Sequence, residues 1–161
     1  MDPVLQVAFR ILAYVLFGFA LEVTFAAHGI EVVMAARIPR RVPRKYLEGF
    51  VSLYMAPLHG LGLLLFVEPV HDLIRAWPWP SRFAIWAAGF TLAELGWGWI
   101  QHHLLGFFTW DYYGLSRFRI GRQGYSLWTL VPLWGLTGMI VEVYTDLVRF
   151  LAPHAAAFFL G

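Results

Sequence analysis

The stretch from Gly49 to Val67 carries no formally charged residue. It is close in length to the roughly 20 helical residues that cross a bilayer core of about 30 Å. Three further apolar stretches accompany it. One runs from Pro3 to Ala27, with Arg10 near its start and Glu22 near its end. Another runs from Phe83 to Phe107, with Glu94 near its middle. The last runs from Tyr125 to Leu147, with Glu142 and Asp146 late in it. All are apolar nearly all round, as helices buried in lipid or in a bundle are. The short alternating segments of a membrane β-barrel are absent. The pattern therefore predicts an all-α, polytopic integral membrane protein. Its architecture would be a four-transmembrane-helix bundle forming one membrane domain over residues 1–161, with spans at about 3–27, 49–67, 83–107 and 125–147.

Composition agrees. The chain is 60% hydrophobic and 14% charged, with a mean hydropathy of +0.63, against about 45–50% and 25% in a soluble domain. A soluble globular domain could not hide that much apolar surface. Disordered chains are poor in aromatics, whereas Phe, Trp and Tyr make up 18% here. With no Cys, disulfides, thiolate metal sites and cysteine nucleophiles are excluded.

The spans are separated by marked breaks. Residues 28–48 form a basic loop in which Arg37, Arg40, Arg41, Arg44 and Lys45 surround Pro39 and Pro43, a poor helix interior. Trp77-Pro78-Trp79-Pro80 is the second break, with His71 and Asp72 read as solvated groups just before it. Residues 108–124, ending in Gly121-Arg122-Gln123-Gly124, are the third. The apolar tail from Phe150 to Gly161 is too short to span and is expected to lie at the interface or to pack on the bundle. Eight of the twelve Lys and Arg residues fall in the first and third loops. The positive-inside rule then puts those loops in the cytoplasm and both termini outside. The first apolar run lacks the early cation of a signal peptide and is too long for its apolar region, so the span is expected to persist. The basic loop reads as a topology determinant touching anionic lipid rather than a nucleic-acid site, because the net charge is only +2. A bacterial inner membrane is the expected location, and the lipid bilayer the first partner.

Ionisable groups at membrane depth cost at least about 2.5–3.5 kcal/mol on insertion scales. At about 1.5 Å per residue, Glu94 and His59 both fall near the midplane. Glu22 falls in the half that ends at the basic loop. Gln101 shares a helix face with Glu94, and His102 flanks that face. These residues outline a polar track leading to Trp110-Asp111-Tyr112. It reads either as a functional ligand-binding site or as a network that only stabilises helix packing. Interhelical polar contacts contribute only about 0.6 kcal/mol each, a small return for two ionisable groups at the midplane.

Other chemistries find no support. Adjacent His102 and His103 point about 100° apart on a helix, and no His-x-x-x-His or Glu-x-x-His pair is present, so no metal site is expected. No Gly-x-Ser-x-Gly or phosphate-cradling loop occurs. The chain is not itself an ATPase, and no cofactor is expected.

Several segments together resemble the transmembrane protein 229 family, also described as CmpB-like and labelled a type IV ABC-transporter membrane family. They are Phe19-Ala20-Leu21-Glu22-Val23-Thr24-Phe25, Ser52-Leu53-Tyr54-Met55-Ala56-Pro57-Leu58-His59-Gly60, Leu92-Ala93-Glu94, Trp110-Asp111-Tyr112 and Pro132-Leu133-Trp134-Gly135. The resemblance covers roughly Phe19 to Asp146. Trp-Asp-Tyr at this distance after an intramembrane Glu is its most specific element. The chain departs from the family pattern at Gln101, where bacterial relatives commonly have a second Glu. It also departs at His59, where Tyr is usual, and in the basic Arg117-Phe118-Arg119. The resemblance implies a four-helix membrane protein and, through the label, an ATPase partner.

The leading expectation is a transporter- or permease-like protein with a polar site around Glu22, His59 and Glu94. His59 would be the hydrogen-bond partner of Glu94, and Trp110-Asp111-Tyr112 would gate the cytoplasmic mouth. Four short helices make a thin wall, so a homo-oligomer or larger membrane complex is expected. One alternative is an intramembrane enzyme acting on a lipid or isoprenoid, with Glu94 as acid and Asp111 or Glu22 as base. Another is a scaffold or assembly subunit.

Overall fold

The computed structural model describes residues 2–160. Helix α1 spans Pro3–His28. The Asp2 side chain accepts a hydrogen bond from the Val4 amide at 2.8 Å, and Pro3 occupies the first turn, where its missing N–H is no loss. Gly29 breaks the helix, and a short α2, Ile30–Met34, follows. The basic loop expected from residue 28 therefore opens with a helical turn.

The next helical stretch starts at Leu53, where the Ser52 side chain caps the Tyr54 amide, and not at Gly49. It continues as a π-helix over Leu58–Val67 and then as α3, Glu68–Ile74. The uncharged run read from sequence ends at Val67, before Glu68-Pro69. The helix continues because Arg10 and Tyr14 of α1 hydrogen-bond the Glu68 carboxylate. Pro69 removes one α-type backbone bond at the junction of the two helix types.

Helix α4 spans Trp79–Leu105, with Pro80 in its first turn and Gly106 in the left-handed conformation at its end. It starts four residues before the expected Phe83. Between α4 and α5 lies a two-stranded ribbon in which β1 (Arg119–Ile120) pairs antiparallel with β2 (Ser126–Leu127). Gly121 and Gly124 take the positive φ angles that close the ribbon. Tyr125 to Leu127, expected at the head of the last span, thus belong to the ribbon instead. Helix α5 spans Val131–Leu160 and runs straight through Pro153. The apolar tail read as a separate short segment is its continuation up to Leu160.

The helices pair antiparallel. Arg10 meets Glu68 while Glu22 meets His59, and Arg82 meets Glu142 while Glu94 meets Trp134. Close approach is set by glycine at Gly138, which lies under the Trp86 ring. The loops are not free. Ser116 donates to the Met34 carbonyl at 2.7 Å, and Thr129 to the Val33 carbonyl at 2.8 Å. The first and third connections therefore form one cap at the same end of the bundle.

Three helical stretches are long and apolar enough to cross a membrane: Pro3–His28, Leu53–Ile74 and Trp128–Leu160. Helix α4 matches them in length at 27 residues, but Arg82, Glu94, Gln101, His102 and His103 lower its apolarity, as do four tryptophans. The outer surface is rich in large apolar side chains such as Leu16, Phe66, Leu92 and Val143. Patches of that extent mark an apolar environment or a partner rather than water.

Candidate functional site

Glu94 is buried on the inner face of α4, together with Thr91, Gly98 and Gln101. Its Oε2 accepts hydrogen bonds from the Ser126 hydroxyl at 2.5 Å and from the Trp134 indole at 3.0 Å. Tyr113 is a further hydrogen-bonding neighbour. The carboxyl group is thus held by the ribbon, by α5 and by the loop after α4. A buried carboxyl group needs such donors, since an unpaired one is costly.

His59 is not among them. Its Nε2 lies 2.9 Å from Glu22 Oε1. A carboxylate oxygen only accepts, so the imidazole donates there. The expectation that His59 serves Glu94 is corrected: α1, not α4, faces the ring of this helix. The Glu22 and His59 side chains remain 30% and 15% exposed, so the pair can be reached from outside while Glu94 cannot.

The aromatic turn after α4 draws the two carboxyl groups into one neighbourhood. Burial raises the Tyr112 phenol above its ordinary pKa, and the nearby charges of Glu22, Glu94 and Asp111 add to that. Burial likewise holds the Tyr113 phenol well above its ordinary range, with Glu94, Tyr112 and Glu22 contributing. Both phenols therefore keep their O–H hydrogens at neutral pH and can donate to a carboxylate.

The remaining residues of the expected track separate from it. Gln101 is buried and turns to the backbone: its Oε1 accepts from the Thr109 amide at 2.9 Å, and its Nε2 reaches Tyr54 O and Met55 Sδ. It fastens two connecting segments to α4. His102 Nδ1 bonds the Tyr125 hydroxyl at 2.7 Å, and the buried Trp110 indole donates to the Tyr125 carbonyl at 2.8 Å. Asp111 is exposed. Within Trp-Asp-Tyr, Trp110 is a core anchor and Tyr112 alone approaches the two carboxyl groups. A groove of about 250 Å³, lined mainly by apolar side chains including Leu53, Trp97 and Leu104, opens beside Gln101. Among the described residues, no three His, Asp or Glu side chains are grouped to hold a metal ion.

A second polar cluster, at the opposite end, was missed by sequence reading. Glu68 accepts from Arg10 and from Tyr14, each at 2.7 Å. Arg149 bridges Asp72 at 2.7 Å and approaches Glu68 at 3.8 Å. Glu142, only 3% exposed, accepts from Arg82 at 2.5 Å and from the Trp86 indole at 2.7 Å. His71 is buried beside it and bonds Asp146 at 3.1 Å. The reading of His71 as a solvated loop group is therefore overturned, because α3 carries it into the bundle; Asp72 is exposed as expected. The available signal was the recurrence of a charge near the same end of every apolar stretch: Arg10, Glu68, Arg82 and Glu142.

No protein-family model, curated protein or solved structure matches this chain.

Proposed function

We propose that the chain is a small multi-pass membrane protein of transporter- or permease-like character, working through Glu22, His59 and Glu94. The observation that carries this reading is the juxtaposition of two unlike carboxyl groups. The Glu22–His59 pair is partly open, and Glu94 is closed off behind it with Tyr112 and Tyr113 alongside. An accessible imidazole–carboxylate pair exchanges protons readily. A buried carboxyl group next to it can hold a proton or a cation that the pair delivers.

Connectivity supports α4 as a fourth span. Only a short turn joins Ile74 to Trp79, so α4 starts where the second stretch ends. Its far end leads into the ribbon and loop that cap α2, so it finishes where α1 finishes. A helix joining those two ends crosses the same thickness as its neighbours. Of the arginines at the other end, Arg10, Arg82 and Arg149 are tied to carboxylates and Arg75 is exposed. Arg37, Arg41, Arg117 and Arg122 are exposed at the capped end, which favours that end as cytoplasmic. A bacterial inner membrane, a homo-oligomer and kinship with the transmembrane protein 229 family complete the proposal. An ATPase partner rests on that family's label alone.

The test is proton or cation uptake by proteoliposomes loaded with a pH-sensitive dye, with wild type beside Glu94→Gln and Glu22→Gln. Uptake lost in both variants supports the reading, and uptake equal to that of empty liposomes in all three preparations rejects it. The second reading is a scaffold or assembly subunit, favoured by the two hydrogen bonds that already occupy Glu94 Oε2. It expects Glu94→Gln to keep its partners and its complex unchanged.

A further inference from the structure

The second helical stretch carries an imidazole at each end: His59 beside Glu22 and, twelve residues on, His71 beside Glu142 and Asp146. His71 is 4% exposed. Its two ring nitrogens are in different situations. Nε2 lies 3.1 Å from Asp146 Oδ1, and since the carboxylate only accepts, Nε2 carries a hydrogen. Nδ1 is buried without a hydrogen-bond partner, and it faces Glu142 Oε1 at 3.8 Å. A bare ring nitrogen opposite a carboxylate oxygen brings two lone pairs face to face in a dry site. Buried polar atoms left so are uncommon and call for an explanation.

Among the described residues, Asp146 is the carboxylate around this ring with no arginine partner. Its surroundings are Glu142 and Asp146 on α5, Glu68 and Asp72 on its own helix, Arg82 on α4, Arg10 and Tyr14 on α1, and Arg149 on α5. Arg10 pairs with Glu68, Arg82 with Glu142 and Arg149 with Asp72. Arg75 also approaches Asp72, at 4.0 Å. Asp146 faces His71 instead. A positive charge on the imidazole would give Asp146 a cationic partner, and Nδ1 is the position a proton would take.

We infer that His71, Glu142 and Asp146 form a proton-binding site at the opposite end of the bundle from Glu22 and His59. The proton is received on Nδ1. The imidazolium then donates from Nε2 to Asp146 and from Nδ1 towards Glu142, and no bond other than N–H is made or broken. Asp146 is the entry side, because its side chain is 63% exposed while those of His71 and Glu142 are 5% and 4% exposed. The π-helix Leu58–Val67 lies between the two imidazoles. Such wide turns recur at functional sites.

The test is nitrogen-15 NMR of the full chain, labelled at histidine and held in lipid nanodiscs, between pH 5 and pH 9. Ring nitrogens report the neutral and doubly protonated forms directly. His71→Gln identifies the signal. The expected result is conversion of the His71 ring to the doubly protonated form on acidification. At a fixed pH near the middle of that change, Asp146→Asn should reduce the doubly protonated fraction severalfold while the spectrum stays folded. Asp146 is largely exposed, so this change spares the packing. A His71 ring that keeps one form across the whole range overturns the inference, and so does a fraction unmoved by Asp146→Asn. Both readings are independent of solute transport, so the site stands or falls separately from the proposed function.

Discussion

The His59 imidazole lies in the space that a side chain at Gly18 would occupy. A Cβ built at Gly18 overlaps the ring, whereas one built at Gly89, on the outer face of α4, meets nothing within 4 Å. The Glu22–His59 hydrogen bond therefore depends on a missing methyl one turn along α1. Gly18→Ala should lower stability by about 1–3 kcal/mol, the usual cost of overpacking. Gly89→Ala should be neutral or stabilising by up to about 1 kcal/mol, because Ala is the better helix former. Thermal unfolding of both variants in detergent checks this. If the two midpoints move in the same direction, the contact between Gly18 and His59 is not the constraint described.

Glu94 separates hydrogen-bond supply from charge. Glu94→Gln keeps an oxygen for the Ser126 hydroxyl and the Trp134 indole. Glu94→Leu removes it and strands both donors, at roughly 1–3 kcal/mol for each buried group left unpaired. The leucine variant should therefore be the less stable by about 2 kcal/mol or more, measured by denaturant unfolding in mixed micelles. Equal stability would mean that Ser126 and Trp134 find other acceptors when Glu94 is lost.

Much of the fold was legible because apolar length is a one-dimensional signal. Pro3–Ala27 and Gly49–Val67 announce helices, and Glu94 stands out as a carboxyl group that must be buried. What failed needed knowledge of the neighbouring helix. Glu68-Pro69 reads as a terminus until Arg10 and Tyr14 are known to reach it. His71 reads as solvated until α5 is known to bring Glu142 and Asp146 to it. The partner of His59 was wrong for the same reason: depth along the membrane follows from residue count, whereas rotation about the axis follows from packing. The tail after Leu147 reads as too short to span, yet α5 continues through Pro153, as Pro-containing helices do where surrounding groups satisfy the freed backbone.

Two side-chain bonds couple the cap. Ser116 and Thr129 both donate to backbone carbonyls at the end of α2, on residues 34 and 33. Each bond contributes about 1 kcal/mol, and the two are close enough in space to act together. Ser116→Ala with Thr129→Val should loosen the cap by about 2 kcal/mol and leave the α4–α5 pairing intact. Hydrogen exchange should then accelerate in α2 and in the ribbon, with α5 unchanged. Unaltered exchange at α2 would show that apolar contacts of Ile30 and Met34 hold the cap unaided.

Tyr112 and Tyr113 predict an alkaline limit to stability. Both phenols lie above the ordinary value of 10.0, chiefly through burial and then through neighbouring carboxylates. A raised folded-state value means that the folded form keeps its proton when the unfolded chain has lost it. Their contribution is therefore complete below about pH 10 and declines as pH rises beyond it. The slope is about 1.4 kcal/mol per pH unit for each phenol. Tyr112→Phe removes one such group and keeps the ring that packs against Phe50. Its unfolding free energy, followed by circular dichroism from pH 7 to pH 12, should fall less steeply than that of the wild type above pH 10. Below pH 9 the two curves should run parallel. Identical slopes on the alkaline side would mean that Tyr112 ionises as freely in the folded protein as in the unfolded chain, and that Glu22 and Glu94 do not act on it as the geometry requires.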